Sequence, residues 1–364
     1  MPRSYTPLRY PGGKGKLAPF MKELFRHNDL CDGTYVEAYA GGSSIALTLL
    51  LEGYAWEVVI NDIDDLIYAF WKSVLDDTET ISRKIQDTPV TMEAWYEQKQ
   101  IHLHPEQYTM TDVGFATFFL NRTNRSGILQ AGVIGGKNQD GPFKLDARFN
   151  KRDMLERIRL IAKYKNRIRL FNQDAGELIK TVTPSLPAKC LMYFDPPYFN
   201  KGKSLYKNYY SPSDHAHIAT LIRALSHPWI VTYDNVPEIK KLYTGEAYAE
   251  YDISYSAHIS RIRGAEVMFY HNLELPSAPY TRSLRASACS ANAVEGLLNQ
   301  AKSMAVSEDK SISQLLKETP EKRLKDETNF KSAKRRQLAL LKQGFDLGTK
   351  GQMTATRETL HERG

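Results

Sequence analysis

The chain reads as an α/β protein: one mostly parallel sheet, a long insertion after its second strand, and a basic tail. Three observations predict this. Short apolar runs alternate with stretches of helical periodicity, the pattern of strand–helix–strand units. The early runs end in small or acidic residues, such as Ala40-Gly41-Gly42 and Asn61-Asp62. Composition also changes twice, near Asp77 and again after Pro276.

In chain order, Thr34–Tyr39 is expected as the first strand, followed by a helix from Ser43 to about Glu52. Glu57–Ile60 is the second strand, and a helix runs from about Asp64 to Leu75. Further strands are expected at Arg167–Phe171, Cys190–Phe194, Trp229–Tyr233, Tyr248–Tyr255 and Glu266–His271. The insertion holds helical stretches and a glycine-rich, turn-rich loop from Asn124 to Asp140. A loop of that length inside a compact domain usually has a function. The tail reads as a linker and a mobile segment, with one amphipathic helix at Lys331–Lys342 stopped by Gly344.

The chain has 364 residues and a net charge of +7. Residues 277–364 carry 16 Lys/Arg against 10 Asp/Glu, so the body is close to neutral. Within the body, residues 121–170 carry 13 basic and 4 acidic side chains. A basic stripe on an otherwise acidic body suggests a face for a polyanion, although a solvated helix surface has the same composition. No apolar run is long enough for a membrane span, and the amino terminus has no signal-peptide pattern. Cys31, Cys190 and Cys289 fit neither a disulfide framework nor a zinc spacing, so no metal is expected and a cytoplasmic setting is.

Three constellations carry chemistry. Tyr35 through Ser43 is a strand running into small residues and then a helix, which lets a ligand approach backbone amides at the sheet's carboxyl edge. It lacks the Gly-x-Gly-x-x-Gly pattern of dinucleotide sites. Asp62 follows Glu37 by one strand–helix–strand unit and is placed to accept hydrogen bonds from ribose hydroxyls. Arg9-Tyr10-Pro11-Gly12-Gly13-Lys14 resembles a phosphate loop but fails its spacing, because Leu17 stands where a magnesium-holding hydroxyl would be needed. What remains is a glycine turn presenting Lys14.

The third constellation is Leu191-Met192-Tyr193-Phe194-Asp195-Pro196-Pro197-Tyr198. Two prolines stop the strand's ladder and fix a rigid turn. An aromatic amine such as adenine N6 is a poor nucleophile, because its lone pair is delocalised into the ring. Asp195 and a turn carbonyl can accept its two N–H bonds and draw the nitrogen toward a tetrahedral shape. Tyr198 can stack on the base.

The order Tyr-Pro-Gly-Gly-Lys, Glu-Ala-Tyr-Ala-Gly-Gly, Asn-Asp-Ile-Asp, basic insertion, Asp-Pro-Pro-Tyr resembles the Dam-type DNA adenine-N6 methyltransferases over about residues 4–275. The resemblance implies a Rossmann-like S-adenosylmethionine-dependent methyltransferase sheet at 1–76 and 166–276. It also implies an inserted, mostly helical target-recognition domain at 77–165, and 277–364 remains as a C-terminal extension. The implied catalytic residues are Asp195, Pro196, Pro197 and Tyr198. Tyr10, Lys14, Asp62 and Asp195 would line the cofactor pocket, with Glu37 and Ala40, Gly41 and Gly42 as its floor and Asp174 beside the cofactor's adenine.

The resemblance further implies duplex DNA as partner, association with the nucleoid, and room for a cognate restriction enzyme or defence partner. Arg122, Asn124, Arg125, Lys137, Arg148 and Lys151 are the expected DNA contacts. The glycine-rich continuation of the insertion departs from the GATC-reading members, so GATC specificity does not carry over. Cytosine-N4 methylation is the nearest alternative reading. Ser leads that tetrapeptide more often in cytosine enzymes, so Asp195 favours adenine. A DNA-binding regulator with a vestigial site is the alternative from another class.

Overall fold

The computed structural model describes residues 4–9, 14–199, 210–255, 262–276 and 279. Tyr10 and the helix expected at Lys331–Lys342 lie outside them, as does the tail apart from Pro279. All described residues belong to one compact unit, residues 1–311.

Seven strands form one sheet: β1 Gly33–Glu37, β2 Ala55–Asn61, β3 Ile168–Phe171, β4 Cys190–Phe194, β5 Trp229–Asp234, β6 Ala247–Tyr255 and β7 Ile262–His271. Their spatial order is β3-β2-β1-β4-β5-β7-β6. β1 to β5 pair in parallel, and β7 inserts antiparallel between β5 and β6. The winding reverses between β1 and β4, and ligands of open α/β sheets bind outside the strand ends at such a reversal. Glu37 ends β1 there, and Asp195 follows the end of β4.

The central strands β1, β4 and β5 are buried along almost their whole length because both faces are covered. Alternation sorts their side chains by face. Tyr35, Leu191, Tyr193 and Ile230 enter one core. Val36, Met192, Phe194, Trp229 and Val231 enter the other.

Helices α1 (Ala18–His27), α2 (Ser44–Leu51) and α3 (Asp65–Asp76) contribute to the first core. So do all four helices of the insertion: α4 (Thr78–Asp87), α5 (Met92–Leu103), α6 (Met110–Thr123) and α7 (Lys151–Ala162). The second core is covered by α8 (Ala175–Val182), α9 (Pro212–Arg223) and α10 (Pro237–Leu242). Phe70 of α3 stacks on Phe118 of α6, so the insertion is seated on the sheet's own helices. α6 begins with a capping box in which Thr109 and Asp112 bond each other's backbone N–H.

Candidate active site at the sheet reversal

The turn after β1 is held open by its neighbours. Gly41 takes a left-handed φ of 44°, donates its N–H to Asp62 Oδ2 at 2.7 Å, and gives its carbonyl to Trp71 Nε1 at 2.9 Å. Ser43 also has positive φ (47°), and its buried Oγ has no hydrogen-bond partner among the described residues. Asn61 ties three strand ends together: its amide nitrogen donates to the Ala38 and Gln173 carbonyls, and its oxygen accepts the Gln173 N–H. Asp62 is buried and also accepts the Asp64 N–H. Glu37 is buried and accepts the Ala46 N–H at 3.2 Å.

These carboxylates are held away from their usual range. Burial pushes Glu37 up to about 8; the Ala46 bond opposes this, while Asp195 and Asp62 add to it. Burial pushes Asp62 up to about 6 against two backbone N–H bonds. Burial likewise raises Asp195 to about 6, with Lys14 opposing and Glu266 adding. Buried carboxyl groups ionise more readily beside a cation. A ligand bearing a sulfonium and an ammonium supplies that charge, and the unpartnered Ser43 hydroxyl offers it a polar contact. The donor set therefore fits S-adenosylmethionine.

On the other side of the reversal, Lys14 is 4% exposed. Its ammonium donates to both Glu266 oxygens (2.7 and 2.8 Å) and to the Tyr198 hydroxyl (2.8 Å), and lies 3.5 Å from Asp195 Oδ1. Glu266, 2% exposed, also accepts from the hydroxyls of Tyr198 (2.6 Å) and Tyr251 (2.7 Å). An ammonium has three donors, and these partners take them all. Lys14 therefore anchors the Asp195–Tyr198 turn from inside the fold. The Tyr198 hydroxyl is fixed by the same network, and the Lys14 ammonium lies 4.9 Å from its ring centroid. Asp174 is exposed and caps α8 by accepting the Gly176 N–H.

Sequence reasoning missed Glu266, Tyr251 and Thr232. Glu266 did carry a signal, as a lone acid inside the apolar run Ala265–Tyr270.

The insertion divides the expected DNA contacts. Asn124 is fully buried; its side chain accepts from Trp95 Nε1 at 2.7 Å and donates to the Ile128 and Leu129 carbonyls. It shapes the loop from inside the fold rather than from its surface. Arg122 donates to the Arg148 and Pro7 carbonyls, and burial, then Arg9 and Arg157, push it down to about 10. Lys151 donates to the Gln86 and Thr88 carbonyls at the end of α4. Arg125, Lys137 and Arg148 are exposed, and Phe143, whose ring centroid lies 6.0 Å from the Arg148 guanidinium carbon, is 62% exposed. Gly127, at φ 78°, lets the loop pass the Arg9 carbonyl, where a Cβ would come within 2.2 Å.

The family model for D12 class N6 adenine-specific DNA methyltransferases matches residues 10–257. No curated protein matches by sequence. The solved structures that match include two methyltransferases. A Listeria monocytogenes protein described as a class I S-adenosylmethionine-dependent methyltransferase shows 9% identity and a TM-score of 0.32, over 78% of this chain and 68% of that one. The rRNA methyltransferase AviRa from Streptomyces viridochromogenes shows 12% identity and a TM-score of 0.27, over 67% of this chain and 80% of that one.

Proposed function

Because the chain belongs to the D12 class N6 adenine-specific DNA methyltransferase family, we propose that Asp195 is the group that binds the amine to be methylated. The reaction is S-adenosylmethionine-dependent methylation of adenine N6 in DNA, and the family match separates it from cytosine methylation. The observation that carries the assignment is the position of Asp195: at the carboxyl end of β4, across the reversal from Glu37 and its glycine turn.

S-adenosylmethionine, when bound, supplies an electrophilic methyl group on a sulfonium. Asp62 accepts the ribose hydroxyls, and Glu37 balances the cofactor's positive charge. Asp195, ionised above its pKa of about 6, accepts one N6–H bond and a carbonyl of the Pro196-Pro197 turn accepts the other. Transfer makes N6 positive and acidic, so its proton can leave without a strong base. Tyr198, held through its hydroxyl, borders the base. The adenine must leave the stack of duplex DNA to reach this buried edge.

Residues 1–76 and 166–276 act as the catalytic part, and 77–165 read the target. Of the expected contacts, Arg125, Lys137 and Arg148 are the cations the insertion presents to DNA. Working on DNA would place the protein at the nucleoid, with a restriction enzyme or other defence partner as a candidate associate. Among the described residues no helix is long and apolar enough to cross a membrane.

The test is modified-base sequencing of DNA from a methylation-deficient host expressing the chain. N6-methyladenine at one recurring site supports the proposal. Unmodified DNA, or N4-methylcytosine alone, overturns it.

A further inference from the structure

Two side chains of β5 grip the catalytic turn at both ends. Thr232, fully buried, donates from Oγ1 to Asp195 Oδ1 at 2.8 Å. Two residues on, and so on the same face of the strand, Asp234 Oδ1 accepts the Phe199 N–H at 3.0 Å. The tetrapeptide 195–198 lies between these two bonds. The Tyr193 hydroxyl lies 2.9 Å from Thr232 Oγ1, with both groups buried. A threonine hydroxyl has one hydrogen, and an ionised carboxylate only accepts. With that hydrogen given to Asp195, Tyr193 must donate to Thr232, and the three groups form a one-way chain ending on Oδ1.

We propose that Thr232, supported by Tyr193, is a positioning residue for methyl transfer: it occupies Asp195 Oδ1 and leaves Oδ2 turned to the adenine amine. This rests on Asp195 being the amine acceptor. The chain has two effects. It selects which oxygen meets the substrate, and it stabilises the ionised carboxylate, the stronger acceptor for an N–H bond. A hydrogen bond to the charged form lowers a carboxyl pKa. Removing the donor should therefore move the acid limb of the rate profile toward higher pH. Asp234 holds the other end of the turn, and the charged groups facing Asp195 are Lys14, whose ammonium lies 3.5 Å from Oδ1, and Glu266, which Lys14 also contacts.

The experiment compares Thr232→Val, nearly the same shape but without a donor, with Thr232→Ser, which keeps one. Single-turnover methyl transfer is followed from pH 5 to 9 with saturating cofactor and DNA. Thr232→Val should lose on the order of tenfold in rate near pH 7 and shift its acid limb up, with cofactor affinity unchanged, and Thr232→Ser should restore both. Tyr193→Phe should shift the limb in the same direction by less, and it serves if Thr232→Val does not fold. Folded Thr232→Val with the wild-type rate and profile overturns the proposal, as does a rate loss with no shift that Ser fails to rescue. If Thr232→Val does not fold, a wild-type profile in Tyr193→Phe overturns it. An Asp195→Ala control, which removes the acceptor altogether, separates the two readings. Activity retained there means that Asp195 itself was misassigned, whereas loss there with Thr232→Val unaffected rejects only the positioning role.

Discussion

Cofactor binding should weaken as the pH falls from 8 to 5, by an amount that follows from three carboxylates. Asp62 and Asp195 ionise at about 6 and Glu37 at about 8 when no cation is bound. Each is raised, so in the empty pocket the protonated form persists to higher pH than in a free side chain. A cationic ligand favours the ionised forms, so binding releases protons and affinity rises with pH until the last of the three has ionised. At pH 5 a group with a pKa of 6 is ionised in roughly one molecule in ten. Each such group that must ionise therefore costs about tenfold, or about 1.4 kcal/mol. Asp62 alone predicts a tenfold loss of affinity and both aspartates about a hundredfold, and Glu37, half ionised at pH 8 and ionised in roughly one molecule in a thousand at pH 5, adds a further factor on the order of 500. Calorimetry in buffers of different ionisation enthalpy counts the protons. Near pH 7 roughly one should be released, mostly from Glu37. Asp62→Asn should reduce the pH 8 to pH 5 affinity ratio by about tenfold. A flat affinity across this range with no proton release would refute the electrostatic account of the pocket.

Other outcomes follow from the same geometry. Glu37 has a folded-state pKa above its unfolded value, so the stability linked to its protonated form is present below about pH 4.5 and is lost as pH rises through about 8. Glu37→Gln should flatten that decline in melting temperature measured without cofactor, and an equal decline in both proteins would contradict it. Asn124→Ala strands the buried Trp95 N–H and should cost about 1–3 kcal/mol in denaturant unfolding, while the sites modified by the remaining folded protein stay the same. Arg125→Ala should relax preference at one base position by about 1–3 kcal/mol if it reads a base edge, whereas Lys137→Ala should weaken all sites alike and lower the salt dependence. Modified-base sequencing and binding at several salt concentrations distinguish these.

The parts of the fold set by local pattern could be read from the sequence. Cys190–Phe194 matches β4 residue for residue, because an apolar run stopped by Asp-Pro-Pro has one natural strand boundary. Thr34–Tyr39 overran β1 by two residues, where Ala38 and Tyr39 already belong to the turn. Glu266 reaches Lys14 across 252 residues of chain, and only the position of β7 beside β5 brings them together. No local pattern encodes that contact, so Lys14 looked free to meet a ligand. The insertion failed differently. Its basic composition suggested a polyanion face, but composition does not say which side chains turn inward. Asn124 turns in to satisfy Trp95, while Arg125, the next residue, is exposed.

Asp195→Ala tests the central claim most directly. The variant protein, shown to be folded by its melting curve and to bind S-adenosylmethionine, is assayed for transfer of labelled methyl to DNA. Loss of a preorganised acceptor at the reacting amine should lower the rate on the order of 100-fold or more, with N6-methyladenine no longer detected in DNA from the expressing host. Wild-type turnover by the folded, cofactor-binding variant would contradict the assignment of this turn as the catalytic centre.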